Sequence, residues 1–237
     1  MLDAWLDLVL GSRCSACAAP GRALCHRCAA GLPRHAVPSW PTPTPPGLVP
    51  PWSAGEYADP LRPLIVDHKD HGRLALARPL GRLLAVAVAA ASGVGRCPGN
   101  VGTVHLVPVP SHAAVVRRRG QDPLLRVTHA AAAALRRTGV DASVRPLLRV
   151  VARPGDQAGL DAAERAANVA GRFRARPYVA ERYRQERTGG PGPVVVLVDD
   201  VITTGVTLRE AQRALGEAGV VPAAAATVAA TRRRNTR

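Results

Sequence analysis

Aromatic side chains are almost missing from this chain, at 3% of residues and with a single Phe. A core must therefore be built from Ala, Val and Leu, and a surface that stacks nucleobases on aromatic rings would have little to work with. Long apolar runs are also missing. The longest, Leu83 to Ala91, covers about half a bilayer. The segment Met1 to Leu10 carries Asp3 and Asp7 and no basic leader, so it does not read as a secretory signal. A soluble, cytoplasmic protein without a membrane span is expected. There is no Gly-x4-Gly-Lys-Ser/Thr loop, and Gly93-Val94-Gly95 does not follow a strand as a dinucleotide fingerprint would.

What is present begins with charge. The chain has 237 residues and a formal charge of +15, enough length for one α/β domain and a small appendage. The excess is clustered at Arg117-Arg118-Arg119, at Arg232-Arg233-Arg234 and between Arg172 and Arg187. Such clusters suit anionic partners, either phosphorylated small molecules or nucleic acid, and they equally suit a solvated Arg-rich surface.

The organisation follows from punctuation. Residues 1–32 hold four of the five cysteines, and residues 33–56 are a proline-rich linker or strap whose densest part, Pro33 to Pro51, suits neither helix nor central strand. Residues 57–95 show apolar positions at helical spacing interrupted by Gly72 and Pro79, and are expected as two or three short helices forming a hood. From 96 to 237 strand and helix patterns alternate. Strands are expected at 104–110, 144–151, 194–198 and 221–228, with helices over 123–137 and from the turn after Asp200 to about Ala218. Alternation of this kind implies an α/β fold with a mainly parallel sheet.

The most informative stretch runs from Val194 to Thr207. An all-apolar strand delivers Asp199 and Asp200 to the carboxyl end of the sheet, where open α/β sheets bind ligands. Carboxylates there accept hydrogen bonds from vicinal hydroxyls. Val201 and Ile202 then lead into Thr203-Thr204-Gly205-Val206-Thr207, which offers three hydroxyls, a permissive glycine and a helix start, the elements of an anion site. A phosphate would sit in the loop with sugar hydroxyls on the acids. The competing reading is a plain capping box, Thr207 with Glu210 three residues on. It leaves the paired acids and the run of threonines without a role. A receiver domain also has a strand ending in two acids, but only 37 residues follow Asp200 here.

The cysteines read Cys14-x2-Cys17-x7-Cys25-x2-Cys28. In a reducing compartment two such knuckles suggest a closed tetrahedral zinc site of structural type, the alternative being a set of unoccupied thiols. His26 reads as a loop residue, and Cys97 is left over.

The segment Val194 to Thr207 resembles the signature of type I phosphoribosyltransferases. The rest of the chain resembles the ComF family, associated with competence and DNA uptake, in its paired cysteines, in Ile65-x3-Lys69-x2-Gly72, in Val107-Pro108-Val109-Pro110, in Arg117-x-Arg119-Gly120 and in Gln157-x2-Leu160 through Arg165 to Asn168. At Gln121-Asp122-Pro123 it departs, where many members carry Phe-Asn-Gln. The resemblance implies a phosphoribosyltransferase that binds 5-phosphoribosyl 1-pyrophosphate, with Asp199 and Asp200 on the ribose and Val201 to Thr207 around the 5-phosphate. It places Ser111, Arg117 and Arg119 at the pyrophosphate with Lys69 nearby, and a flap over residues 149–173 bringing Arg149, Arg153 and Arg165. Magnesium would accompany the substrate. The alternative is a sugar-phosphate-binding module that acts through single-stranded DNA, a helicase or DNA-uptake proteins. Neither the acceptor nor the oligomeric state is legible.

Overall fold

The computed structural model describes residues 12–93, 102–151, 170–186 and 192–231. In chain order it shows helix α1 (His26–Ala30), strands β1 (Val37–Pro38) and β2 (Pro51–Glu56), helix α2 (Leu61–Lys69), a 3-10 turn (Leu74–Leu76) and helix α3 (Ala77–Ser92). Then come β3 (Val104–Pro108), α4 (Ala113–Arg119), α5 (Pro123–Arg137), β4 (Ala142–Val144) and β5 (Leu148–Val150). After these lie β6 (Phe173–Ala175), α6 (Pro177–Glu186), β7 (Val194–Ile202), α7 (Val206–Gly216) and β8 (Ala224–Ala230).

Six strands form one sheet in the order β1-β2-β8-β7-β3-β4. Every pairing in it is parallel except that of β1 with β2 at the edge. This is the α/β architecture expected from the alternating pattern. β7 is apolar at every position from Val194 to Val198 because both of its faces are covered, the usual condition of a parallel sheet. Alternation divides its side chains, with Val196 and Val198 entering one core and Val195 and Leu197 the other.

The first core lies under α3 and α5, the second under α7 and the small antiparallel sheet β5-β6. Alanine makes the first layer thin. Gly81 of α3 lies so close to α5 that an added Cβ would stand 2.5 Å from the Ala130 methyl. Leu80, Leu83, Leu84 and Val88 project from α3 into this core, each contributing about 1.5–3 kcal/mol of burial. The span Leu74–Ser92 is long and apolar enough to cross a membrane by length and composition, yet half of it is buried inside the protein. Its apolar face is the inner layer of the fold.

Several expectations are corrected. The end of the proline-rich segment is β2, a strand inside the sheet between β1 and β8. Pro51 is tolerated because it is the first residue of that strand. Ser53 of β2 meets Thr227 of β8 in a buried hydroxyl pair 2.7 Å apart. The segment 57–95 holds helices α2 and α3; α2 contributes Ile65, Val66 and Lys69 to the cavity lining, while α3 packs against the sheet. The strand candidate at 144–151 is two strands, β4 and β5, in different sheets. The basic run at Arg117 is the last turn of α4 and not a loop, with Gly120 left-handed at its end (φ 69°).

Candidate functional site

β7 continues to Ile202, so Asp199 and Asp200 belong to the strand rather than to the turn after it. Each acid is tied to the following backbone: the amide of Asp200 donates to Asp199 Oδ1 (2.8 Å) and the amide of Val201 to Asp200 Oδ1 (2.8 Å). Lys69, the last residue of α2, donates to Asp200 Oδ2. Burial and the neighbouring Asp200 charge push the Asp199 carboxyl well above the usual aspartate range. Burial works against the Lys69 ammonium, but the two strand acids outweigh it and raise Lys69 above the ordinary lysine value.

The turn after β7 exposes Thr203 and Thr204 and hides Gly205. Gly205 is left-handed (φ 73°), and an added Cβ would stand 3.0 Å from both Leu48 and Pro41, so the strap is wedged against the loop. α7 starts there with no side-chain cap, leaving its first N–H groups to whatever occupies the loop. The capping-box alternative fails on this geometry. Glu210 is buried and turned away from the helix start: Arg213 donates to it through Nε and Nη2 (2.7 Å each), and the Phe173 amide donates to it at 3.4 Å. Burial opposes the charge, but the Arg213 fork holds Glu210 below the usual glutamate range. The helix of the loop is thereby joined to β6.

A cavity of about 500 Å³ opens above these residues. Its floor carries Asp199, Asp200, Val201, Thr203 and Thr207, and its other walls bring Lys69, Ser111, Arg119 and Arg172. Arg119 Nη2 donates to Asp70 Oδ1 at 2.6 Å, joining α4 to the end of α2 across the mouth. Ser111 donates to Asp122 Oδ1 (3.4 Å), which also caps α5 at the Leu125 amide (3.1 Å). The departure at Gln121-Asp122-Pro123 is thus an N-cap followed by proline at N1, a sound helix start.

Of the residues read from sequence, Ile202, Thr204, Gly205 and Val206 shape the loop without lining this cavity. Arg117 and Arg149 are exposed and lie outside it. On β5 it is Val150 that lines the cavity, so strand alternation turns Arg149 the other way. Arg153, Arg165, Cys97, the Gln157 to Asn168 motif and Arg232 to Arg234 lie outside the described residues. Sequence reading did not single out Asp70, His112 or Arg172, which line the cavity. Arg172 sits in an Arg-rich stretch with no periodicity to distinguish it.

Cys14, Cys17, Cys25 and Cys28 converge, with all four sulfurs within 4.8 Å of one another. The Cys17 and Cys25 sulfurs are 3.7 Å apart, close to the roughly 3.8 Å edge of a tetrahedron with about 2.3 Å metal–sulfur bonds. The group can hold a metal ion. Burial acts to raise the Cys14 thiol, but backbone N–H groups, that of Cys25 foremost, bring it down to about 6. His26 opens α1, with Nε2 2.9 Å from Arg22 Nη1. Arg73 bolts the cluster to the neighbouring helix, donating to Ser15 Oγ (2.8 Å), to the Arg13 carbonyl (2.7 Å) and to Asp67 (3.2 Å).

Residues 164–237 match the family model of the phosphoribosyl transferase domain, a span that includes β7, the threonine loop and α7. That part of the chain is phosphoribosyltransferase-like. No curated protein matches the chain.

Proposed function

We propose that this protein binds 5-phosphoribosyl 1-pyrophosphate in the cavity above β7 and transfers its phosphoribosyl group. One observation carries the reading: a single cavity is lined both by Asp199, Asp200, Thr203 and Thr207, around the uncapped start of α7, and by Arg119, Arg172 and Ser111 from other elements. A substrate that carries a phosphate, a diol and a pyrophosphate matches that set of groups. The 5-phosphate accepts from the loop amides and from the hydroxyls of Thr203 and Thr207, and the ribose hydroxyls donate to Asp199 and Asp200. Arg119 and Arg172 face the pyrophosphate, Arg119 exchanging Asp70 for the anion.

In the transfer the bond from the anomeric carbon to pyrophosphate breaks, its electron pair leaving with the pyrophosphate, and a bond from the acceptor forms. Positive charge gathers on the ring and negative charge on the leaving group, which the arginines stabilise. Magnesium fits this site as an ion held mainly by substrate and water, supplying charge neutralisation on the pyrophosphate. The four cysteines fit zinc in a closed structural site. The order of motifs supports a ComF-like, cytoplasmic protein linked to DNA uptake.

One surface favours a second role. Arg149 on β5, Arg174 on β6, Arg176 in the link to α6 and Tyr178 in its first turn are all exposed, a basic surface with a ring on it that suits single-stranded DNA. Incubation with the sugar phosphate, magnesium and a panel of nucleobases, ammonia and DNA tests transfer by pyrophosphate release. Acceptor-dependent release supports the enzyme, whereas salt-sensitive DNA binding without release supports a binding module.

A further inference from the structure

The end of α2 meets two recognition groups of the cavity at once. Lys69, its last residue, donates to Asp200 on the floor, and Asp70, its C-cap, accepts from Arg119 Nη2 (2.6 Å). Two consecutive residues of the chain thus put a cation on a floor acid and a carboxylate on a wall arginine.

The carboxylate is the unexpected member of this arrangement. An arginine that is to take an anion offers most when its fork is free, because guanidinium donors match phosphate oxygens in pairs. Arg119 has part of that fork occupied by a group of its own chain. Its side chain is 22% exposed and that of Asp70 is 48% exposed, so the pair is open to solvent on the acid's side, where ion pairs hold weakly and exchange. The acid comes from a tied turn: the Arg73 amide donates to the Asp67 carbonyl (3.0 Å) and the Arg73 guanidinium to the Asp67 carboxylate (3.2 Å). The freedom lies on the arginine's side. Arg119 ends α4, and the left-handed Gly120 after it has nothing within 4 Å of an added Cβ.

We propose that Asp70 is an internal competitor: without ligand its carboxylate holds Arg119 in place of a substrate anion, and every anionic ligand that uses Arg119 must displace it. The inference rests on the sugar-phosphate reading of the cavity. An arginine held in this way is competent only in the fraction of molecules whose pair is open, and apparent affinity falls by that fraction. Weakly bound anions then fail to fill the site at ambient concentration, while a ligand that also engages the threonine loop and the floor acids still enters. Asp70 sets the threshold for occupancy.

The test is titration calorimetry on the full-length protein with magnesium, using inorganic pyrophosphate as probe and ribose 5-phosphate as the ligand without a pyrophosphate. Asp70→Asn binds pyrophosphate about 2- to 6-fold tighter, the range for release of one exposed ion pair, and leaves ribose 5-phosphate unchanged. Arg119→Gln weakens pyrophosphate, and Asp70→Asn added to it brings no further gain. A purely structural Asp70 gives the opposite sign, since losing a tie between α2 and α4 loosens the arginine. A general field effect of the lost charge would persist without Arg119. Pyrophosphate affinity at or below wild type in folded Asp70→Asn overturns the proposal, as does an equal gain in the Arg119→Gln background. The wild type titrated with 5-phosphoribosyl 1-pyrophosphate separates the two readings: no binding sinks the sugar-phosphate reading and the competitor with it, whereas binding without a gain in Asp70→Asn sinks the competitor alone.

Discussion

Lys69 and Asp200 stand 131 residues apart in the chain and form an ion pair on the floor of the cavity. The pair brings the end of α2 onto β7 and gives one of the two strand acids a cation. Asp199 is the acid left with the unfavourable field, raised by burial and by Asp200. Without ligand, the floor is therefore a place where the fold stores electrostatic cost.

The first prediction follows from that cost. The Asp199 carboxyl is harder to ionise in the fold than in the unfolded chain, whose value is 3.8. Its ionisation thus removes stability as pH rises above about 4. Asp199→Asn, free of ligand, melts above the wild type at pH 7, and the gap closes as pH falls below about 4. The same variant loses the rise in melting temperature that 5-phosphoribosyl 1-pyrophosphate with magnesium gives the wild type. Thermal unfolding from pH 3.5 to 8 checks both, and a variant melting lower at pH 7 would count against the stored cost.

Glu210 links α7 to β6, so its loss acts on both. Glu210→Ala leaves the Arg213 fork and the Phe173 amide without their partner and costs about 2–3 kcal/mol, read by urea unfolding. The Glu210 value is lowered in the fold, so its contribution is full above about pH 4.5 and fades as pH falls through the lowered value. Because Arg172 precedes Phe173, the variant also binds the sugar phosphate more weakly. Equal affinity in both proteins would show that the link is structural alone.

The cysteine cluster predicts about one zinc per chain by elemental analysis. Cys14→Ser loses the metal and lowers the melting temperature. Arg73→Ala keeps the metal but loses the bonds to Ser15 and to the Arg13 carbonyl, at a cost of about 1–2 kcal/mol. Zinc lost equally from both variants would mean that Arg73 supports the metal and not the junction.

Gly205→Ala forces a side chain into a left-handed turn and against Leu48 and Pro41. The expected cost is about 1–2 kcal/mol in stability together with a larger loss of substrate affinity, since the strap and the loop must part. Calorimetry beside thermal unfolding separates the two effects. Undiminished affinity would refute the role of the wedge.

The site was legible where residue type and position coincide. Asp199, Asp200, Thr203 and Thr207 come directly after the all-apolar run Val194 to Val198, and the cysteine spacing points to its own cluster. Lys69, Ser111 and Arg119 came from resemblance, and the fold brings them to the same cavity. Legibility failed where long-range pairing overrides local preference. Nothing in Pro51 to Glu56 announces a strand until β8 lies beside it, and strands of three residues such as β5 and β6 carry too little pattern to register. Arg149 lies off this cavity for a different reason: strand alternation turns every second residue to the outer face.

The pairing of β2 with β8 has a consequence in time. Ser53 and Thr227, which close that pairing, are separated by 174 residues. At about 5–20 residues per second on the ribosome, β2 waits roughly 9–35 s for its parallel neighbour to be made. Until then β2 pairs only with β1, and its other edge is open. The proline-dense strap beside it suits that interval, since prolines offer no N–H to a stray strand. A nascent chain can thus hold the first of its parallel strands open without an invitation to aggregate.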